Sequence, residues 1–171
     1  MNKPAIVISI SALILTLTLT LSACSSSSDE NIQNAKEEAM ETGRSSGAKV
    51  NLRNAITAAK YIQTRADSTD FSSVTFEALK MEDQDISWTQ SPLDSSSDPS
   101  AIAVIDITND LIVFQSRIDG ETTSNCLFVE LNSESNTRYG TAIVNSNEAC
   151  PESPNSENGS DYVDSQSGWL S

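Results

Sequence analysis

The feature that most limits how this chain can fold is an apolar run near its start. Residues 5–21 are apolar apart from serine and threonine, and the only charged side chain before them is Lys3. A short positive start followed by an apolar run is typical of a secretory signal. A run of this length can also nearly span a bilayer, so an uncleaved transmembrane helix is the alternative. In both cases the core of a folded domain has to come from the residues that follow.

The residues that directly follow the apolar run favour the signal. Leu21-Ser22-Ala23-Cys24 resembles the lipobox of bacterial lipoproteins. The resemblance implies that residues 1–23 are a signal peptide and that the mature chain starts at Cys24, whose thiol carries diacylglycerol. It also implies an extracytoplasmic protein that is lipid-anchored to the cell membrane or the outer membrane, with the membrane as a partner through the anchor.

Residues 24–47 are expected to form the lipid anchor, a serine-rich spacer and a solvated helix. Residues 25–28 are all serine, as in a flexible spacer. Residues 29–41 are rich in helix formers without a wide apolar stripe. Residues 42–47 contain two glycines and small polar residues, so we expect the helix to break there.

The acidic balance and the lack of histidine exclude several functions. The formal net charge is −14 at pH 7, with 10 basic and 24 acidic residues. The basic residues are scattered, and only Arg138 follows residue 118, so nucleic acid is not an expected partner. The absence of histidine removes Ser-His-Asp and Cys-His nucleophile activation and imidazole zinc sites.

The absence of histidine does not exclude catalysis that needs only carboxylates. The candidate pairs are acids close together in the sequence: Glu37 with Glu38, Glu82 with Asp83, and Asp94 with Asp98. Acids on a polar surface are usually just solvated. We therefore expect no catalytic site. A periplasmic or cell-surface enzyme acting through two converging buried acids is the third hypothesis, behind two non-enzymatic ones.

The hydrophobic pattern after residue 47 predicts one helix followed by a small sheet. The helix has one buried side, formed by Val50 or Leu52 with Ala55, Ile56, Ala59 and Ile62. A short helix is expected at residues 76–81, and strands at residues 86–88, 101–107, 111–118, 126–131 and 137–144. The predicted fold class is α+β, with one amphipathic helix packed on a small antiparallel β-meander within residues 48–151. We expect residues 152–171 to be an acidic mobile tail.

Two cysteines remain once Cys24 is assigned to lipid. Cys126 lies in a predicted strand, and Cys150 comes just before the proline-rich start of the tail. In an exported chain such a pair predicts a disulfide. A reduced or metal-binding pair is the alternative.

The order of the elements resembles a known family. Residues 48–61 look like the exposed half of the long helix of type IV pilins. The elements behind them resemble pilin-like domains of Gram-positive type: a hairpin, a strand headed by Cys126, the segment from Arg138 to Thr141, Cys150 and Trp169. The resemblance implies a non-enzymatic surface lipoprotein with a pilin-like head, acting in binding or scaffolding. The alternative is a minor type IV pilin or pseudopilin of a filament or secretion system, which retains residues 5–21 as its membrane helix.

The tail contains one candidate metal site. Asn158, Asp161 and Asp164 offer oxygen ligands of the kind calcium prefers, and related secretion pseudopilins bind calcium in a carboxy-terminal loop. Their spacing is not that of an EF-hand, and a solvated acidic tail is the alternative. Apart from calcium and the covalent lipid, no cofactor is expected.

Overall fold

One long helix and a six-stranded, mostly antiparallel sheet make up the structure, so the predicted α+β class is confirmed. The computed structural model describes residues 28–134, 136–154 and 159–164. The elements in chain order are α1 (Ser28–Arg65), α2 (Phe76–Glu82), β1 (Trp88–Thr89), β2 (Ile102–Ile107), β3 (Leu111–Asp119), β4 (Thr123–Asn132), β5 (Thr137–Asn145) and β6 (Ser160–Val163). The chain divides into two units, Met1–Met40 and Glu41–Ser171.

The later part of α1 packs on the sheet through a stripe of small and aliphatic side chains. The buried members of the stripe are Ala48, Leu52, Ala55, Ala58, Ala59 and Ile62. They recur at three- and four-residue steps and therefore share one face of the helix. Of the two candidates at the start of the stripe, Leu52 is buried whereas Val50 is 48% exposed. Ile56 is partly buried at the edge of the same core.

The predicted break at residues 42–47 is wrong, because α1 continues through them as one helix. Gly43 and Gly47 each cost about 1 kcal/mol relative to alanine in a helix interior. Neither glycine has a positive φ, however, and Ala48 and Leu52 just beyond them are buried in the core. Tertiary packing of this kind outweighs weak local helix propensity.

The strands are arranged in the sheet in the order in which they follow along the chain. The predicted hairpin is confirmed as β2 and β3, whose turn is closed by a 2.8 Å hydrogen bond from Thr108 N to Leu111 O. The strand expected at residues 86–88 is the short β1, which pairs in parallel with β2 through only two residues. The short helix expected at residues 76–81 is α2, and its N-cap Thr75 accepts a hydrogen bond from Ala78 N.

The sheet has two covered faces. The front face, which packs on α1, contributes Ile102, Val104, Ile112, Phe114, Ile118, Leu127, Val129, Leu131 and Tyr139 to the core. Trp88 packs against this core, with its ring centroid 6.0 Å from that of Phe114. The rear face is covered by the loops before β2 and after β5.

A buried glutamine ties those two loops to the rear face. Gln115 in β3 accepts a 2.9 Å hydrogen bond from Leu93 N and donates a 2.7 Å bond to Pro151 O. Cys150 N also donates to Leu93 O at 2.7 Å. The loops therefore form a third layer, which explains why β3 is buried along almost its whole length.

The prediction that residues 152–171 are a mobile tail is wrong at β6. Ser160 and Val163 pair with Thr141 and Tyr139 of β5, and Ser160 N donates to Thr141 Oγ1 at 3.0 Å. The segment has no alternating apolar pattern of its own, so its pairing depends on residues of β5 that are distant in the sequence. Trp169 lies outside the described residues.

Candidate interaction surface

The outer side of α1 carries an unusual concentration of positive charge. Residues 42–65 contain five basic side chains and no acidic one, whereas residues 66–171 contain three basic and nineteen acidic ones. Lys49, Arg53 and Lys60 are spaced four and seven residues apart, so they share one side of the helix. We call these three residues the basic face. Arg53 and Lys60 are exposed, and Lys49 is half-buried.

Large side chains that are exposed to solvent lie beside the basic face. Val50 is 48% and Tyr61 is 52% exposed, and the Arg65 guanidinium lies 5.4 Å from the centroid of the Tyr61 ring. A shallow cleft of about 240 Å³ is lined by Asn54, Thr57, Ala58, Tyr61, Glu82 and Asp83. Of these residue types, tyrosine and arginine are enriched in protein interfaces.

A second surface feature is a groove at the edge of the sheet. It has a volume of about 500 Å³. We call it the edge groove, and its lining consists of Phe71, Ser72, Val74, Thr75, Phe76, Gln90 and residues 104–109. Phe71 and Val74 are buried and supply an apolar floor. The groove shares no residue with the basic face.

The two remaining cysteines lie at disulfide distance on the rear face. Their sulfur atoms are 1.99 Å apart and their Cα atoms 5.8 Å apart. Cys126 and Cys150 are both buried, in a small cluster with Phe128, Ala142 and Val113. The bond joins the middle of β4 to the loop after β5.

Arg117 lies next to the disulfide, since it is paired with Cys126 across the strands. Its side chain is only 3% exposed. It donates hydrogen bonds to Asp119 Oδ1 at 2.6 Å, Ser124 Oγ at 2.8 Å and Ser146 O at 2.7 Å, and also to Glu148 O. The network fixes the chain between β5 and Cys150. Arg117 was not among the predicted site residues, because polar residues at alternate positions of a strand are also the pattern of a solvent-facing side.

The predicted calcium ligands are only partly described. Asn158 lies outside the described residues. Asp161 is an exposed residue of β6, and Asp164 Oδ1 lies 3.6 Å from Arg138 Nε. Within the described parts of the chain, no group of three or more histidine, cysteine, aspartate or glutamate side chains could hold a metal ion. Calcium binding stays a prediction.

Arg138 also interacts with a neighbouring aromatic ring on β6. Its guanidinium lies 5.3 Å from the ring centroid of Tyr162, and it donates to Glu130 Oε1 at 3.0 Å. Burial, followed by the negative charge of Glu130, raises the pKa of the Tyr162 phenol. Arg138 in β5 thereby links the neighbouring strands β4 and β6.

The candidate carboxylate pairs are engaged in local structure. Glu82 forms a 3.3 Å ion pair with Arg65, and Asp83 Oδ1 accepts a hydrogen bond from Asp85 N. The hydroxyl and the backbone N–H of Ser96 hold the pKa of Asp94 below its usual 3.8, and Ser100 does the same for Asp98. Neither pKa is raised, as that of a general acid would be. Glu37 and Glu38 lie outside the described side chains.

Lipid attachment rests on residues that the structure does not describe. Cys24 and residues 5–21 precede the first described residue, Ser28. Among the described residues, no helix has the length and the apolar character needed to cross a membrane.

The comparisons with known proteins found no match: no protein family, no curated protein and no solved structure is similar to this chain at a significant level.

Proposed function

We propose that this chain is a non-enzymatic surface lipoprotein, anchored through lipid on Cys24, whose pilin-like head binds an acidic region of another protein. The observation that carries the proposal is the basic face within a chain of net charge −14. Five of the ten lysine and arginine residues occur within 24 residues that contain no acid. Arg65 is paired with Glu82, so the basic face itself consists of Lys49, Arg53 and Lys60. Electrostatic complementarity of this kind guides association and selects partners.

The state of the carboxylates supports a binding function over an enzymatic one. Asp94 and Asp98 each accept hydrogen bonds from serines of their own turns, as structural carboxylates do. Binding also fits the architecture, because the sheet supports α1 on its front face and the exposed side of α1 is left for a partner.

The proposed anchor is tested by intact mass spectrometry of protein extracted from membranes of the native host. We expect a chain that starts at acylated Cys24. The variant Cys24→Ala should lack the acyl mass and leave the membrane fraction. A wild-type chain that retains residues 5–21 without acylation would contradict the anchor.

The proposed binding surface is tested by photo-crosslinking in the native host from position 57, where the exposed Thr57 lies beside Arg53 and Lys60. We expect crosslinks to one protein with an acidic surface. Lys60→Glu should abolish them. Lys80→Glu makes the same charge change on the exposed side of α2 and should leave them intact. Equal loss with both variants would mean that the protein's total charge, rather than the basic face, drives the association.

One observation favours the second candidate function, a minor type IV pilin or pseudopilin. The pilin resemblance implies a helix that continues unbroken into the head, and α1 has no break at residues 42–47. The mass measurement separates the two proposals. Retention of residues 5–21 supports the filament protein, and acylation at Cys24 supports the lipoprotein.

A further inference from the structure

The outer edge of β2 is only half covered. β1 pairs with β2 at Ile102 and Ala103 alone, and in the described part of the chain no strand lies beside residues 104–107 on that side. An unpaired edge presents free backbone donors and acceptors to an added strand. β1 is therefore too short to cover the edge of β2 along its whole length.

The edge groove runs along this uncovered part of β2. Its apolar floor is formed by Phe71 and Val74, and Phe76 of α2 is partly buried beside them. Ser72, Thr75 and Gln90 add polar groups to the lining. An extended peptide directs alternate side chains to opposite sides, so it can place apolar side chains on the floor and polar ones in solvent.

The charge of the edge groove selects among the segments that could fill it. Asp106 is exposed and is the charged residue among the described lining side chains. Pairing of β2 with β2 of a second copy would bring two such aspartates close together, and like charges in paired strands are unfavourable. A segment with lysine or arginine beside Asp106 has the opposite charge.

We propose that the edge groove binds an extended segment of another protein, in which apolar residues alternate with lysine or arginine, as an added strand beside β2. This site goes beyond the proposed function, because it uses a different surface and a partner of opposite charge. Backbone hydrogen bonds to residues 104–107 supply affinity, and the apolar floor with Asp106 supplies selectivity.

The test uses the full mature chain and a synthetic octapeptide of alternating valine and lysine. We expect it to bind, and to slow amide hydrogen exchange at residues 104–107. A peptide of alternating valine and glutamate, and one with the same valines and lysines in two blocks, should bind much more weakly. Asp106→Lys should weaken binding of the valine–lysine peptide by about tenfold or more, and Asp106→Asn should have a smaller effect in the same direction.

Two matched controls make the outcome specific. Asp110→Lys makes the same charge change outside the groove lining, and Lys60→Glu alters the basic face, so both should leave affinity for the alternating peptide within about twofold. Equal weakening by Asp106→Lys and Asp110→Lys would overturn the proposal in favour of unspecific attraction. Absence of binding would also overturn it, as would a peptide-free dimer that protects residues 104–107. None of these outcomes bears on the anchor or on the basic face.

Discussion

Arg117 and Asp119 lie on the same side of β3, and the Arg117 Nε donates to Asp119 Oδ1 at 2.6 Å. The remaining donors of Arg117 bind Ser124 and the carbonyls of Ser146 and Glu148. A guanidinium with donors in a fixed fork can satisfy several acceptors at once. It thereby attaches the chain after β5 to the rear face, just before the residue that forms the disulfide.

Replacing Arg117 should lower the free energy of unfolding far more than breaking an exposed ion pair does. Arg117→Met removes a buried charge together with donors to one buried and three partly buried acceptors, and we expect it to lower the free energy of unfolding by about 3 kcal/mol. Arg65→Met is the control, because its ion pair with Glu82 involves an Arg65 side chain that is 62% exposed and should contribute less than about 1 kcal/mol. Urea denaturation measures both. Similar losses would mean that the Arg117 network does not stabilise the rear layer.

The Cys126–Cys150 bond should be a major source of stability for so small a core. The two residues are 24 positions apart, and closing such a loop restricts the unfolded chain by about 3.5 kcal/mol in the entropy model. Cys126→Ala with Cys150→Ala, in a Cys24→Ala background, should lower the free energy of unfolding by about this amount. Reductant should lower the stability of the single Cys24→Ala protein to the same level and leave the triple variant unchanged. If reductant did not lower the stability of the Cys24→Ala protein, or lowered that of the triple variant equally, the result would contradict a stabilising bond.

The sequence predicted the elements whose signals are local. The stripe from Leu52 to Ile62 specified the helix face, and the polar turn at residues 108–110 specified the hairpin. The cysteines could be paired because few were present. These signals depend on side-chain spacing within one element, which is what hydrophobic patterns report.

The features that were missed depend on partners far away in the sequence. β6 pairs with β5, with Ser160 opposite Thr141. The sequence of residues 160–163 contains no pattern that predicts this pairing. Arg117 and Gln115 resemble solvent-facing residues of a one-sided sheet, because the loops that cover them lie outside β3. The continuity of α1 across Gly47 was missed because helix propensity reports only the local sequence. It does not account for the packing of Ala48 and Leu52 in the core.

Acid should destabilise the turn before β2 in a defined pH range. In the folded chain the pKa of Asp94 is lowered from 3.8, chiefly by the Ser96 hydroxyl and N–H and then by the Ser97 hydroxyl. A lowered pKa contributes stability that is fully present above the unfolded value of 3.8 and is lost as the pH falls through the folded pKa. Melting temperature against pH should therefore fall less steeply below pH 4 in Asp94→Asn than in wild type. Asn keeps an acceptor oxygen for the turn but not the charge, so Asp94→Asn should lower stability near pH 7 by what the charge contributes and approach wild type in acid, whereas Asp94→Ala, which also removes the acceptor, should lower it further.

Gly47 offers the most direct test of the continuous helix. An added Cβ would meet nothing within 4 Å at this position, and alanine is favoured over glycine in a helix interior by about 1 kcal/mol. Gly47→Ala should therefore raise helical content by circular dichroism and increase stability in urea by up to about that amount. Gly120→Ala is the matched control: its Cβ would lie 2.5 Å from the Thr123 carbonyl oxygen, so it should be destabilising. If residues 42–47 instead formed a bend that needs glycine, Gly47→Ala would lower both helical content and stability, and the helix from Ser28 to Arg65 would have to be divided there.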